Sequence, residues 1–241
     1  MRYGVFSDVH ANLEALEAVL RALDGERVGK LLCAGDLVGY GADPVPCLER
    51  IRAAGTCAVC GNHDCAMAGT LGLDWFNTHA RASLEWTARK LPAPEKDYLG
   101  KLPYTWKDES VTLVHSALDN PKSFRYVLDP DAAGASLGAQ ETPVAFFGHT
   151  HVPGIFLLEG EVARFRRTDR IALEPGQKAL VNVGSVGQPR DGDPRAAYAL
   201  YDSDSGVVEI RRVPYPVEQA QRKILEAGLP EFLAARLAIG Y

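Results

Sequence analysis

No stretch of this 241-residue chain is apolar for the length a membrane crossing requires. Its N-terminus, Met1-Arg2-Tyr3-Gly4-Val5-Phe6, lacks the apolar run a secretory signal carries. Basic excess is missing as well, with 26 Lys+Arg against 31 Asp+Glu and a formal charge of −5. Duplex and membrane-surface binders are more often basic, so neither partner is favoured. The one basic cluster, Arg164, Arg166, Arg167 and Arg170, alternates with apolar residues and reads as the wet face of a strand. Cysteines are few and odd in number, at five, which does not suit a disulfide framework and points to a reducing cytoplasm. Cys57 and Cys60 form a Cys-x-x-Cys, but no second pair completes a zinc site. An offset of three on a strand puts the two thiols on opposite faces, so they are read as packing. Two nucleophile or phosphate motifs fail on context. Gly134-Ala135-Ser136-Leu137-Gly138 has elbow spacing, yet Asp129-Pro130-Asp131 before it starts a helix where an elbow needs a strand. Gly25 to Gly29-Lys30 is too short between its glycines for a P-loop.

What is present is ordinary globular composition, 46% hydrophobic and 24% charged, with no linker, repeat or low-complexity stretch. One domain over 1–241 is expected. Short apolar runs the length of buried strands recur at Tyr3 to Phe6, Leu31 to Ala34, Cys57 to Cys60, Val111 to Val114 and Val144 to Phe147. Asn12 is a candidate N-cap for a helix running from Leu13 to a stop at Gly25, and Pro44 to Ala54 gives a second helix. Strand and helix in alternation predict parallel βαβ units. About 73–102 reads as wholly helical, with Trp75, His79, Ala82 and Trp86 on one face; it is a possible lid, and His79 is expected to pack between the aromatics. Beyond Val144 come short strands at Ile155 to Leu158, Val162 to Phe165, Ala179 to Val183, Ala197 to Tyr201 and Val207 to Val213. Helices near Val217 to Glu226 and Pro230 to Ala238 follow, and this half is expected to be mostly antiparallel.

The first five runs share one property. Each is followed at once by metal-type donors: Asp8-Val9-His10, Gly35-Asp36, Gly61-Asn62-His63-Asp64, His115 and Gly148-His149-Thr150-His151. In open α/β sheets the carboxyl ends of strands form the ligand crevice, so donors scattered in sequence converge there. Asp8 with His10, and His149 with His151, are two apart and project to one side of extended backbone. The resulting donor set is Asp8, His10, Asp36, His115, His149, His151 and the amide oxygen of Asn62. Imidazole with carboxylate suits divalent Mn, Fe, Zn, Ni or Co. The set is too large for one tetrahedral ion and about right for two ions sharing a carboxylate. Two dications outweigh two carboxylates and a bridging hydroxide by one positive charge, which attracts a phosphate ester. Tyr40, just past Asp36, and Arg190, after a glycine-rich loop, are weaker candidates for substrate contact, and Ser185 is expected to shape a turn.

In that order these motifs resemble the calcineurin-like metallophosphoesterase superfamily, and within it the small bacterial and archaeal phosphodiesterase-type branch. The likeness continues through Asn182-Val183-Gly184-Ser185-Val186-Gly187-Gln188-Pro189-Arg190, with Val183 where relatives often have proline. It implies a four-layer αββα sandwich of two mixed sheets flanked by helices. It implies one metal on Asp8, His10, Asp36 and His151, and a second on Asp36, Asn62, His115 and His149. It implies attack by a metal-bridging hydroxide on a phosphate ester, with His63 protonating or stabilising the leaving oxygen and Asp64 orienting the His63 ring. The Ser/Thr protein phosphatase and diadenosine tetraphosphatase pattern Gly-Asp-x-Val-Asp-Arg-Gly is absent. Gly35-Asp36-Leu37-Val38-Gly39-Tyr40-Gly41 carries no arginine, which favours phosphodiesters or small nucleotides. The alternatives are a phosphomonoesterase or protein phosphatase of the same superfamily, or a non-catalytic metal-binding scaffold, which the presence of His63 disfavours.

Overall fold

The structure, a computed structural model, describes residues 1–241. Strand β1 (Arg2–Phe6) leads to helix α1 (Leu13–Asp24), whose N-cap Asn12 accepts a hydrogen bond from the Ala15 N–H as expected. Strand β2 (Lys30–Cys33), helix α2 (Pro44–Ala53) and strand β3 (Cys57–Ala58) complete two parallel βαβ units. The paired part of β3 is shorter than its apolar run, because the chain leaves the sheet to enter α3 (Asn62–Met67), a helix the sequence pattern did not reveal. The expected long helical stretch is divided. Leu73–Trp75 is a 3₁₀ turn, and α4 (Thr78–Lys90) and α5 (Ala93–Gly100) follow. Asn77 caps α4 through Ala80 N, so Trp75 lies outside the helix and off its face.

Strands β4 (Thr105–Lys107) and β5 (Val111–Val114), helix α6 (Pro130–Ala139), and strands β6 (Val144–Phe147), β7 (Gly154–Glu159) and β8 (Val162–Arg166) come next. Strands β9 (Arg170–Ala172), β10 (Ala179–Asn182), β11 (Ala196–Asp202) and β12 (Val207–Val213) precede the last helices, α7 (Val217–Glu226) and α8 (Glu231–Ala235). Strands β4 and β9 carry too little apolar pattern to be seen in advance. Ser136 sits in α6, its hydroxyl bonded to Asp119, in keeping with the rejected elbow.

Two six-stranded mixed sheets result, in the orders β3-β2-β1-β11-β12-β9 and β4-β5-β6-β10-β7-β8. Alternation along each strand divides the apolar residues. Tyr3 and Val5 join Val111, Leu113, Phe146 and Val181 in the core between the sheets. Phe6 and Cys33 face outward into a larger core with α1, α2, α4, α7 and α8. Phe147 and Leu180 face outward on the other side beneath Ala133 and Leu137 of α6. Helix, sheet, sheet, helix is the αββα sandwich. The Val183 N–H donates to Phe147 O at 3.0 Å, a bond that a proline at this position could not make. The arginine cluster is solvent-exposed on and beyond edge strand β8, and no helix is long and apolar enough to cross a membrane.

Candidate metal centre

Strands β1, β2, β5 and β6 all end at one place, and the donors just past them meet there. Asp8, His10, Asp36, Asn62, His63, His115, His149 and His151 are all at least nine-tenths buried. Three groups each bring one donor atom per residue within 4.8 Å of the others: Asp8 with His10 and His151, His10 with Asp36 and His63, and Asp36 with His115 and His149. Asp36 thus belongs to two of them. Its Oδ2 lies 3.7 Å from His10 Nε2 and 3.4 Å from His115 Nε2, while Asp8 Oδ1 lies 3.2 Å from His151 Nε2.

The crowding dictates the backbone. Nine non-glycine residues adopt positive φ, and Asp8, Asp36, His10, His149 and His151 are among them, at 53°, 53°, 48°, 67° and 62°. Ala11, Tyr40 and Phe124 adjoin the same place, leaving only Arg27 elsewhere. Each such residue costs roughly 1–2 kcal/mol, a strain that clusters where function holds it. Two glycines make room: a Cβ on Gly61 would lie 2.1 Å from Asp36 Oδ1, and one on Gly148 would lie 2.2 Å from Asp8 Oδ2.

Hydrogen bonds fix which imidazole nitrogens face inward. His10 Nδ1 donates to Val38 O at 3.1 Å and His115 Nδ1 to Ala34 O at 2.7 Å. His149 Nε2 donates to Phe124 O at 2.8 Å and His151 Nδ1 to Gln188 O at 2.6 Å. A carbonyl can only accept, so each outward nitrogen carries the proton and each inward one carries a lone pair. Those lone pairs face one another. His10 Nε2 is 3.1 Å from His151 Nε2, and His115 Nε2 is 3.1 Å from both His149 Nδ1 and Asn62 Oδ1. Bare acceptors at this range repel, and a shared cation relieves the repulsion. These residues therefore fit divalent metal.

Protonation gives the same answer. Burial holds His63 down to about 4 and His149 down to about 3. At His115 burial also opposes charge, but the Asp36 carboxylate first, and Asp8 with it, override burial and raise the ring to about 10. In a cation-free chain a proton takes the cation's place there. The unfolded chain then protonates His63 and His149 at their ordinary 6.5 while the fold resists until 4 and 3, so stability falls as pH drops below about 6.5. His115 works oppositely: its contribution is complete below 6.5 and is lost as pH rises toward 10. For these three rings chelated protein will melt highest near pH 6.5 and lower on both sides; a melting temperature flat from pH 4 to 10 contradicts the assignment.

Asp64 does not meet the His63 ring. Its Oδ1 accepts from Leu37 N at 2.9 Å and its Oδ2 from Gly61 N at 3.0 Å, while His63 Nδ1 is buried without a partner. The expected orienting role is corrected: Asp64 ties together the loops that carry Asp36 and Asn62. The His63 ring is held instead by Tyr40, at 4.6 Å between centroids, and by the edge of Phe76 at 5.0 Å. His79 is exposed and stacks on Phe232 at 4.7 Å, and the Trp86 indole donates to Ala227 O, so the expected packing among Trp75, His79 and Trp86 is not formed. The thiol Cys60 meets is Cys65, not Cys57. Ser185 does shape its turn: its hydroxyl donates to Asp8 O and accepts from Gln188 N.

A cleft opens over the donors, lined in part by Tyr40 and Arg190, whose guanidinium donates to the Tyr40 hydroxyl at 3.4 Å and to Gln188 Oε1 at 3.0 Å. Phe76, Asn77, Phe124 and Tyr126 also line it; as isolated residues in loops and turns they gave no sequence signal. Comparison with known proteins agrees with the geometry. The chain is 36% identical over 240 residues to an uncharacterized protein of Methanocaldococcus jannaschii, covering 98% of this chain and 97% of that one. It superposes on the crystal structure of a metallophosphoesterase from Sphaerobacter thermophilus with a TM-score of 0.85 at 41% identity, covering 100% and 99% of the two chains. A hypothetical protein from Pyrococcus horikoshii, 21% identical over 100% of this chain and 98% of that one, shares the fold at a TM-score of 0.82. The profile of the calcineurin-like phosphoesterase superfamily domain matches residues 1–206, and the chain belongs to that superfamily.

Proposed function

We propose that this protein is a phosphoester hydrolase that works with two divalent cations and prefers phosphodiesters to phosphoproteins. Asp8, His10, Asp36 and His151 would hold one cation and Asp36, Asn62, His115 and His149 the other, with Asp36 contributing to both. The observation that carries this is the set of inward lone pairs fixed by four outward N–H···O=C bonds. When bound, the cations would lower the pKa of bound water and offset charge on the phosphoryl oxygens.

The chain's own residues do the rest. His63, uncharged in neutral solution, presents an N–H to the leaving oxygen and steadies the charge that develops there. Its backbone N–H donates to Asp36 Oδ1 at 2.9 Å, which ties its position to that of the shared carboxylate. Arg190, steadied by Tyr40 and Gln188, orients one non-bridging oxygen. The segment 73–102 acts as a lid by way of the turn that carries Trp75 and Phe76 against the His63 side of the cleft. Work in a reducing cytoplasm accords with five free cysteines. Turnover of bis-p-nitrophenyl phosphate will vanish with chelator and return with Mn²⁺; chelator-resistant turnover would refute the proposal.

A further inference from the structure

Aromatic residues make up 8% of the chain, yet five of the thirteen residues lining the cleft are aromatic: Tyr40, Trp75, Phe76, Phe124 and Tyr126. Three have evident structural tasks. Phe124 is 5% exposed, packs with Cys60 and Cys65 and offers its carbonyl to His149. Tyr40 is buried and accepts from Arg190, and Phe76 steadies His63. Trp75 and Tyr126 are different. They are 64% and 51% exposed, and they reach the same cleft from segments some fifty residues apart. Tyr126 rests one ring face on His149, with centroids 4.2 Å apart and planes 19° from parallel, while half of the residue stays exposed. Single exposed aromatics are common and mean little; two that converge over one set of buried donors form a surface for a flat partner.

We infer that Trp75 and Tyr126 form a stacking subsite for a planar ring, so that the substrate is a small phosphodiester bearing a nucleobase or a comparable aryl group. This rests on the phosphoesterase reading and names its substrate class. Charge narrows the class further. Arg190 is the one Lys or Arg lining the cleft, enough to orient a single phosphoryl group and too little for a polyphosphate chain. A net charge of −5 also disfavours a long nucleic-acid strand, whose binding depends on many cationic contacts.

The test compares two diesters with alkyl leaving groups, thymidylyl-thymidine and glycerophosphoglycerol, on Mn²⁺-loaded protein. Wild type will favour the dinucleotide in kcat/KM by about 25-fold or more, each stacked ring contributing about fivefold or more. Trp75→Ala and Tyr126→Ala will each reduce that preference about fivefold or more, chiefly through a raised KM for the dinucleotide; Trp75→Phe will retain most of it. Both rings are largely exposed, so these substitutions do not threaten folding. A preference identical in wild type and alanine variants overturns the subsite, as does failure to cleave the dinucleotide by protein that turns over bis-p-nitrophenyl phosphate. A decathymidylate cleaved more efficiently per linkage than the dinucleotide overturns the assignment to small substrates. If no diester is hydrolysed under any metal condition, the phosphodiesterase reading falls with it.

Discussion

His63→Gln will lower kcat on bis-p-nitrophenyl phosphate by about 10²- to 10³-fold, the range for losing a positioned hydrogen-bond donor to developing charge. The bound metal per chain will not change. The two halves separate two roles that the geometry allows, because His63 shares a donor group with His10 and Asp36 and could itself hold a cation. Its environment favours catalysis. The Nδ1 atom is buried with no partner, so no carbonyl fixes its tautomer, unlike the four histidines that surround it. A ring whose tautomer is not fixed can carry its proton on the nitrogen that meets substrate; a ligand is ordinarily locked by a bond on its far side. Metal loss on substitution would make His63 a ligand and remove it as the donor to the leaving oxygen.

Asp36→Asn will have the second large effect. Loss of a group that merely supports a metal ligand costs about 10- to 100-fold in affinity or activity, and Asp36 Oδ2 itself lies 3.7 Å from His10 Nε2 and 3.4 Å from His115 Nε2. Turnover will therefore fall by more than about 10²-fold, and metal content will fall with it. Amide geometry resembles that of the carboxylate closely enough to keep the His63 N–H bond, so the fold survives; what disappears is the negative charge between His10 and His115. A variant that kept full metal content and near-normal turnover would show that Asp36 is not shared.

Much of this centre was legible from residue type and spacing, because metal donors past strand ends form a pattern that few other requirements produce. The five apolar runs predicted where β1, β2, β5 and β6 end, and Asn12 marked the start of α1. Three kinds of information were not in the pattern. Short elements such as β4 and β9 exist because a neighbouring strand offers hydrogen bonds, not because their own residues demand extension. The hydrogen bonds of Asp64 go to backbone groups that only the folded loops bring near, so its sequence neighbour His63 was a misleading partner. The helical spacing of Trp75, His79 and Trp86 assumed one continuous helix. The Asn77 cap starts α4 afresh and sends Trp75 to the cleft, where it has a different use.

Anomalous scattering from a Mn²⁺-loaded crystal tests the central claim most directly, because it counts the ions and locates them at once. Two peaks about 3.5–4 Å apart, with the Asp36 carboxylate between them and the rings of His151 and His149 on opposite sides, are the predicted result. A single peak, or two peaks of which neither adjoins Asp36, would contradict it.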